Sequence, residues 1–421
     1  MIQTTHTGTN LAKSGKPHHI QYEAEAACTN LLILLKILLD YGRLLIRRSY
    51  RQLNWQVQTV GNITHFHFAF MPIVAFFSDT SWGGVDLRTS IMPRVVTRNH
   101  KVILIAGGAG FVGSNLCRRL IDEGHEIICV DNFQTGNRCN IAPFLQHRHF
   151  RLIQHDICDP LDISGPVDEI YNMACAASPD RYQEGPVHTC KTCFLGALNL
   201  LELARRKKAR ILQSSTSEVY GDPEISLQDE SYRGSVNTCG PRACYDEGKR
   251  VAETLFWEYG AHNGVETRIA RIFNTYGPNM DPEDGRVVSN FIVQALKGED
   301  LTVYGTGLQT RSFCYVSDLV DGLIRLMASD EKMPVNLGNP GEFTMLELAE
   351  KVVKMVRSRA GVTFRPLPQD DPRQRKPNIT RAKTILGWSP KVNLDEGLAS
   401  TIEWYRERLA ADQEAEAPAG Q

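Results

Sequence analysis

A chain of 421 residues, 42% hydrophobic and 23% charged, is long enough for two or three folded domains and has a globular profile, which excludes a disordered, collagen-like or multi-span membrane protein. Forty-seven basic residues against 48 acidic ones leave a formal net charge of −1. That balance lacks the basic excess of a nucleic-acid binder, so no nucleic-acid partner is expected. Eleven scattered cysteines, an odd count, fit reduced thiols and a cytoplasmic setting better than a disulfide framework.

In chain order, residues 1–98 read as an N-terminal extension. Leu31–Leu39 is apolar but short, contains Lys36 and runs into Asp40, Arg43, Arg47 and Arg48, the pattern of an amphipathic helix. The run 66–77 is interrupted by Pro72. Neither reaches the roughly 18 apolar residues of a membrane span, so membrane association is not the expectation, with a membrane or organelle role for the extension as the alternative. From Lys101 the texture alternates. Strands are predicted at 102–106, 126–130, 151–153, 169–171, 210–213 and 267–272, and helices at 111–123, 187–206 and 245–259. This alternation argues an α/β fold with a doubly wound parallel sheet over 99–278. After Pro278 come mixed short elements: a helix at 289–296, a strand at 301–304 and a helix at 319–327. They form a smaller C-terminal α/β portion, 279–408, interleaved with the first, and 409–421 read as a flexible tail.

Gly107-Gly108-Ala109-Gly110-Phe111-Val112-Gly113 follows the first strand and opens the first helix, with the spacing G-x-x-G-x-x-G of a Rossmann dinucleotide turn. Gly107 allows a sharp turn, Gly110 lets the backbone approach a pyrophosphate, and Gly113 seats the helix on the strand. Free N–H groups and the helix dipole then face the phosphates. Asp131 ends the second strand, where an acidic side chain can accept from an adenosine ribose and would repel a 2′-phosphate, which favours NAD over NADP. Asp156, after the third strand, either holds the adenine edge or caps the turn before Pro160.

Tyr245 and Lys249 stand four apart at the start of a helix and share a face. An ammonium near a phenol favours the phenolate and brings a poor base toward a useful range, and Lys249 can also bond the nicotinamide ribose. Ser215-Thr216-Ser217-Glu218 lies about thirty residues upstream, just past a predicted strand, where a hydroxyl can share a substrate oxygen with Tyr245. With the glycine turn these residues make a hydride-transfer site for an alcohol. No metal ligand set is read: Cys190-Lys191-Thr192-Cys193 has no second pair at zinc spacing and sits in a helical pattern, so packed or surface thiols are expected.

Residues 101–405 resemble the extended short-chain dehydrogenase/reductase family and, within it, the UDP-glucuronic acid decarboxylases. The resemblance rests on 240–250 (GPRACYDEGKR), 215–223 (STSEVYGDP), 271–278 (RIFNTYGP), 285–291 (GRVVSNF) and 301–313 (LTVYGTGLQTRSF). It implies UDP-glucuronate as substrate, UDP-xylose and carbon dioxide as products, NAD regenerated in each turnover, a substrate-binding C-terminal portion and a homodimer built on the two long helices. It also implies that Tyr245, Lys249, Thr216 and Glu218 are catalytic, with Glu218 near the reacting C5 and its carboxyl. Lys191, Arg242, Asn274, Arg286, Tyr304 and Arg311 would contact substrate, Arg286 at the diphosphate and Arg311 at a carboxylate or diphosphate. Three positions depart from the family pattern: Cys193 stands where an asparagine is typical, Asn172-Met173 replaces a histidine-bearing pair, and Asn378 replaces a common aspartate.

Two enzymatic alternatives share the fold. A nucleotide-sugar 4,6-dehydratase usually carries Thr-Asp-Glu where this chain has Thr216-Ser217-Glu218, because expelling a hydroxyl needs an acid stronger than serine. A C4-epimerase would not need Glu218. A non-catalytic NAD-sensing interaction protein is the alternative of another class, and its signature would be a damaged Tyr/Lys/Thr set beside an intact glycine turn.

Overall fold

The computed structural model of the chain describes residues 100–367 and 374–416, together with a two-residue antiparallel pair, Thr59–Val60 with Ile63–Thr64. The apolar runs at 31–39 and 66–77 lie outside the described residues. Among the described residues no helix is long and apolar enough to cross a membrane.

Seven strands form one parallel sheet: β1 (Val102–Ala106), β2 (Glu126–Asp131), β3 (Phe150–Gln154), β4 (Glu169–Asn172), β5 (Arg210–Thr216), β6 (Thr267–Ile272) and β7 (Val335–Leu337). Their order is β7-β6-β5-β4-β1-β2-β3. The strand order reverses between β1 and β4, which opens a crevice at the carboxyl ends. Side-chain alternation sorts the sheet into two cores. Ile103 and Ile105 face a cluster with Leu116, Cys117 and Leu120 of α1 (Phe111–Asp122). Val102, Leu104 and Ala106 face the other side. Burial on both faces explains why these strands read as unbroken apolar runs.

The expected helix at 187–206 is three pieces: α2 (Pro186–Lys191), a π turn at Thr192–Gly196, and α3 (Ala197–Lys207). A Cβ on Gly196 would overlap Ile157 Cδ1, so the turn brings backbone against the β3–β4 connection. α4 (Ala243–His262) buries Tyr245, Gly248, Lys249, Ala252 and Phe256 along one stripe. Leu200, Leu201, Ala252 and Phe256 complete the second core.

The C-terminal portion has its own core, in which Val288, Phe291 and Ile292 of α5 (Val287–Lys297) meet Leu301, Val303 and Leu398. Leu301–Tyr304 pairs in parallel with Val362–Arg365, and Thr310–Ser312 pairs antiparallel with Glu342–Thr344. Between these, α6 (Val316–Ala328) and β7 return to the large sheet, so the two portions interleave. A capping box, Thr344 with Glu347, starts α7 (Met345–Val356). The last helix, α8, runs Leu394–Glu416, into the stretch expected to fray from residue 409.

Candidate active site

A cleft of about 490 Å³ opens at the carboxyl ends of the strands and runs to the C-terminal portion. Its floor is the glycine turn. Gly107 adopts φ +77, and a Cβ there would come within 2.8 Å of the Ala174 backbone. A Cβ on Gly113 would collide with the Gly107 carbonyl oxygen. Gly110 caps α1 with no side-chain bond, and the first turn holds no acidic residue, so its N–H groups are open to an anion. Phe111 and Val112 line the same wall.

Asp131 is buried at the end of β2. Its Oδ2 accepts from the Ala109 N–H at 2.9 Å and its Oδ1 from the Phe133 N–H at 2.8 Å. Burial pushes its carboxyl above the usual range while those two bonds pull it back, and each oxygen keeps a lone pair for a ribose hydroxyl. Asp156 also lines the cleft. Its Oδ1 accepts from the Cys158 N–H at 2.8 Å, so it does cap a turn, and its Oδ2 meets Asn132 Nδ2 at 2.9 Å and His188 Nε2 at 2.8 Å. Burial works against its charge, but these bonds outweigh burial and hold the carboxyl below its ordinary range. Ligand atoms of Asp156, Cys158 and His188 lie within 4.8 Å of one another, the one such group among the described residues.

Tyr245, Lys249 and Thr216 come together where β5 and α4 meet. Lys249 Nζ donates to the Ser214 carbonyl at 2.8 Å and lies 5.6 Å from the centre of the Tyr245 ring. The Tyr245 ring stacks on Tyr182 at 5.0 Å and 3°. Burial and the nearby Cys175 sulfur push the Tyr245 phenol well above its ordinary value, against a hydrogen bond with Thr216 and the Arg286 charge. The expected lowering by Lys249 is therefore outweighed by desolvation in this cleft. Thr216 caps the 3₁₀ turn Ser217–Tyr220 and accepts from the Glu218 N–H at 3.3 Å.

Glu218 is buried between two arginines. Arg242 Nη2 donates to its Oε2 at 2.6 Å, and Arg375 grips both carboxylate oxygens with Nη1 and Nη2. Arg375 lies 157 residues further along the chain. In the sequence this stretch drew attention only at Asn378. The available signal was Arg375-Lys376-Pro377, just before Asn378, in which the arginine is the member that reaches the cleft. Arg311 is buried beside it and pairs with it through a backbone bridge. Arg286 makes a forked pair with Asp284, at 2.5 and 2.8 Å, just before α5. Asn274 and the half-exposed Tyr304 complete the lining among the residues singled out in sequence. Lys191 is the exception: it ends α2 exposed to solvent and is not among the residues that line the cleft.

Residues 103–338 match the model of the NAD dependent epimerase/dehydratase family. UDP-glucuronic acid decarboxylase 5 of Arabidopsis thaliana is 58% identical over 308 residues, 73% of this chain and 90% of the relative. UDP-glucuronic acid decarboxylase 1 of Danio rerio is 55% identical over 312 residues, 74% of each chain. The chain belongs to the UDP-glucuronic acid decarboxylases. Among solved structures, a dTDP-glucose 4,6-dehydratase from Streptomyces venezuelae with bound NAD superposes at a TM-score of 0.68 and 27% identity, covering 74% of this chain and 98% of that one. The fold is thus the doubly wound α/β fold of the extended short-chain dehydrogenase/reductases, and the cofactor is NAD. The open helix end, the tight glycines and Asp131 fit such a dinucleotide in size and charge.

Proposed function

We propose that this decarboxylase acts on UDP-glucuronate, releasing carbon dioxide and UDP-xylose. The observation that carries the proposal is the meeting, in one cleft, of the Tyr245–Thr216–Lys249 set with a carboxylate, Glu218, held by two buried arginines. Bound NAD supplies the hydride acceptor for the sugar's C4 and returns that hydride, so net redox is zero. With NAD bound, its positive nicotinamide would add to the Thr216 hydrogen bond and the Arg286 charge in favouring the Tyr245 phenolate against burial; Tyr245 Oη then takes the C4 hydroxyl proton and later gives it back, while Thr216 donates to the same oxygen. Once C4 is a ketone it stands β to the C5 carboxylate, and the electrons of the breaking C–C bond pass to the ketone oxygen. The two hydroxyls then face an enolate oxygen, an interaction realised mostly after oxidation. Lys249 holds the ribose next to the nicotinamide. Glu218, ionised between its arginines, stands at C5 and positions the water that hands on a solvent proton in place of carbon dioxide. Arg242, Arg311 and Arg375 meet the sugar acid, and Arg286, Asn274 and Tyr304 meet the diphosphate and nucleotide. Four of these six groups, Arg286, Tyr304, Arg311 and Arg375, come from 279–408, which supports that stretch as mainly substrate-binding, while Arg242 and Asn274 come from 99–278, the NAD-binding portion with which it interleaves.

Purified protein given UDP-glucuronate and NAD should release carbon dioxide and form a UDP-pentose. A 4-keto-6-deoxy sugar made from UDP-glucose would overturn the proposal in favour of a dehydratase. We also propose a cytoplasmic homodimer. Exposed Val187, Phe194 and Leu195 on the α2–α3 stretch and Trp257 on α4 support a helical interface. Light scattering that finds a monomer would remove it.

A further inference from the structure

Cys193 sits in a Cys-x-x-Cys spacing with Cys190, yet its sulfur does not face that residue. Cys190 is exposed and its sulfur lies 3.5 Å from the Cys244 carbonyl oxygen. The sulfur of Cys193 instead touches Cys175, with 3.5 Å between the two Sγ atoms. We propose that Cys175 and Cys193 are an oxidisable thiol pair, a modification site at which a hydroperoxide closes a disulfide in the wall of the cofactor cleft.

Three features of the surroundings carry this. First, the two sulfurs differ in access. Cys175 lines the cleft, where a small oxidant reaches it, whereas Cys193 is 3% exposed and packs between Cys175 and Gly248. Second, the pair is polarised. Hydrogen bonding from Cys193 favours the Cys175 thiolate, burial opposes it, and the Lys249 charge adds to the favourable side. The same contact, together with burial, raises the Cys193 thiol. Cys175 is therefore the attacking sulfur and Cys193 the resolving one. Third, neither residue is held within a strand or an α-helix. A disulfide needs about 2.05 Å between sulfurs, so the gap must close by about 1.5 Å. Cys193 belongs to the π turn, whose backbone is already displaced from α-helical spacing, and Cys175 lies in the loop after β4.

The chemistry balances with the peroxide as oxidant. The Cys175 thiol gives up its proton and the thiolate attacks one peroxide oxygen; the O–O bond breaks, a sulfenic acid forms, and the departing hydroxide or alkoxide takes that proton to leave as water or an alcohol. The Cys193 sulfur then attacks Cys175 sulfur, the S–O bond breaks and water departs with the thiol proton. The two thiols lose two electrons in total and the peroxide gains them.

Closure would act on the site in two ways. Cys175 packs with Tyr182 and Tyr245. Its neighbour Ala174 forms the backbone wall against Gly107. Cys193 in turn abuts Gly248, between Tyr245 and Lys249 on α4, where an added Cβ would meet its Cβ at 2.9 Å. Drawing the two cysteines together shifts the loop against the glycine turn. This consequence for turnover rests on the proposed activity, whereas the disulfide itself does not.

The test uses the full chain, treated with hydrogen peroxide, alkylated at its remaining free thiols and mapped by peptide mass spectrometry. The expected product is a Cys175–Cys193 disulfide, reversed by dithiothreitol, which still forms in Cys190→Ser. Cys193→Asn, which carries the residue typical of relatives, should yield Cys175 sulfenic or sulfinic acid and no disulfide. Activity should fall roughly a hundredfold on oxidation of the unmutated chain, the cost of a misplacement of about 1 Å near the chemistry, and return with dithiothreitol. A Cys190–Cys193 disulfide, or both Cys175 and Cys193 still alkylatable after the exposed Cys139 and Cys239 have oxidised, would overturn the proposal. Disulfide formation without loss of activity would leave the site standing and remove only its effect on turnover. An unmutated chain inactive on UDP-glucuronate before any oxidation would fail the assigned activity instead.

Discussion

Replacing Arg375 by alanine tests the arrangement around Glu218 directly. Both side chains are about nine-tenths buried, at 8% and 10% exposure, so the carboxylate depends on its cations and little on water. Breaking a buried pair by removing one partner costs about 3–5 kcal/mol, because an uncompensated charge remains. Arg242 stays in place at 2.6 Å from Glu218 Oε2, which puts the expected loss at the lower end, about 3 kcal/mol. In a Glu218→Gln background the same deletion leaves a neutral amide behind and should cost about 1 kcal/mol, the worth of ordinary hydrogen bonds. The cycle therefore predicts a coupling energy of about 2 kcal/mol, measured from urea unfolding of the four proteins. Equal costs in both backgrounds, within about 0.5 kcal/mol, would refute the claim that Arg375 holds Glu218.

Tyr245→Phe should lower carbon dioxide release by about 10²–10⁴-fold, the usual worth of a positioned proton-transfer group, while protein-fluorescence titration shows NAD still bound because the ring keeps its stacking on Tyr182. Gly113→Ala forces a methyl group into the Gly107 carbonyl oxygen; overpacking of about 1–3 kcal/mol predicts NAD binding weaker by roughly 5- to 150-fold, read by calorimetry. Burial raises the phenols of Tyr171, Tyr276 and Tyr405, which take no part in the proposed reaction, well above their ordinary value. They stay protonated in the fold but ionise above about pH 10 when unfolded, so their contribution is complete below that pH and is lost as pH rises. Each phenol should remove about 1.4 kcal/mol per pH unit, visible as a steep fall in the urea midpoint from about pH 10 upward; phenolate absorbance rising in the native protein near pH 10 for these three would contradict it.

Much of the sheet was legible because buried parallel strands leave short β-branched runs, and six of the seven were read that way. The seventh, Val335–Leu337, is only three residues long and pairs with β6 across an intervening α/β stretch, so no local pattern marks it. Periodicity also joined α2 and α3, since one π turn at Thr192–Gly196 barely disturbs a helical spacing of apolar residues. The glycine turn, Asp131 and the Tyr245/Lys249 pair were readable because their chemistry demands fixed local spacings. The grip on Glu218 and the Cys175–Cys193 contact were not, because each joins residues through the tertiary fold. Lys191 shows the converse, a residue matched by its neighbours in sequence whose side chain points to solvent.

All seven strands run the same way, and Gly107, Asp131, Asp156, Met173, Thr216 and Phe273 each follow or finish one of them on the same rim. A chain built so separates folding from selectivity. Segments on that rim can be exchanged to admit a different sugar acid without disturbing either apolar layer below, whereas changes within those layers should alter expression yield before they alter which nucleotide sugar is accepted.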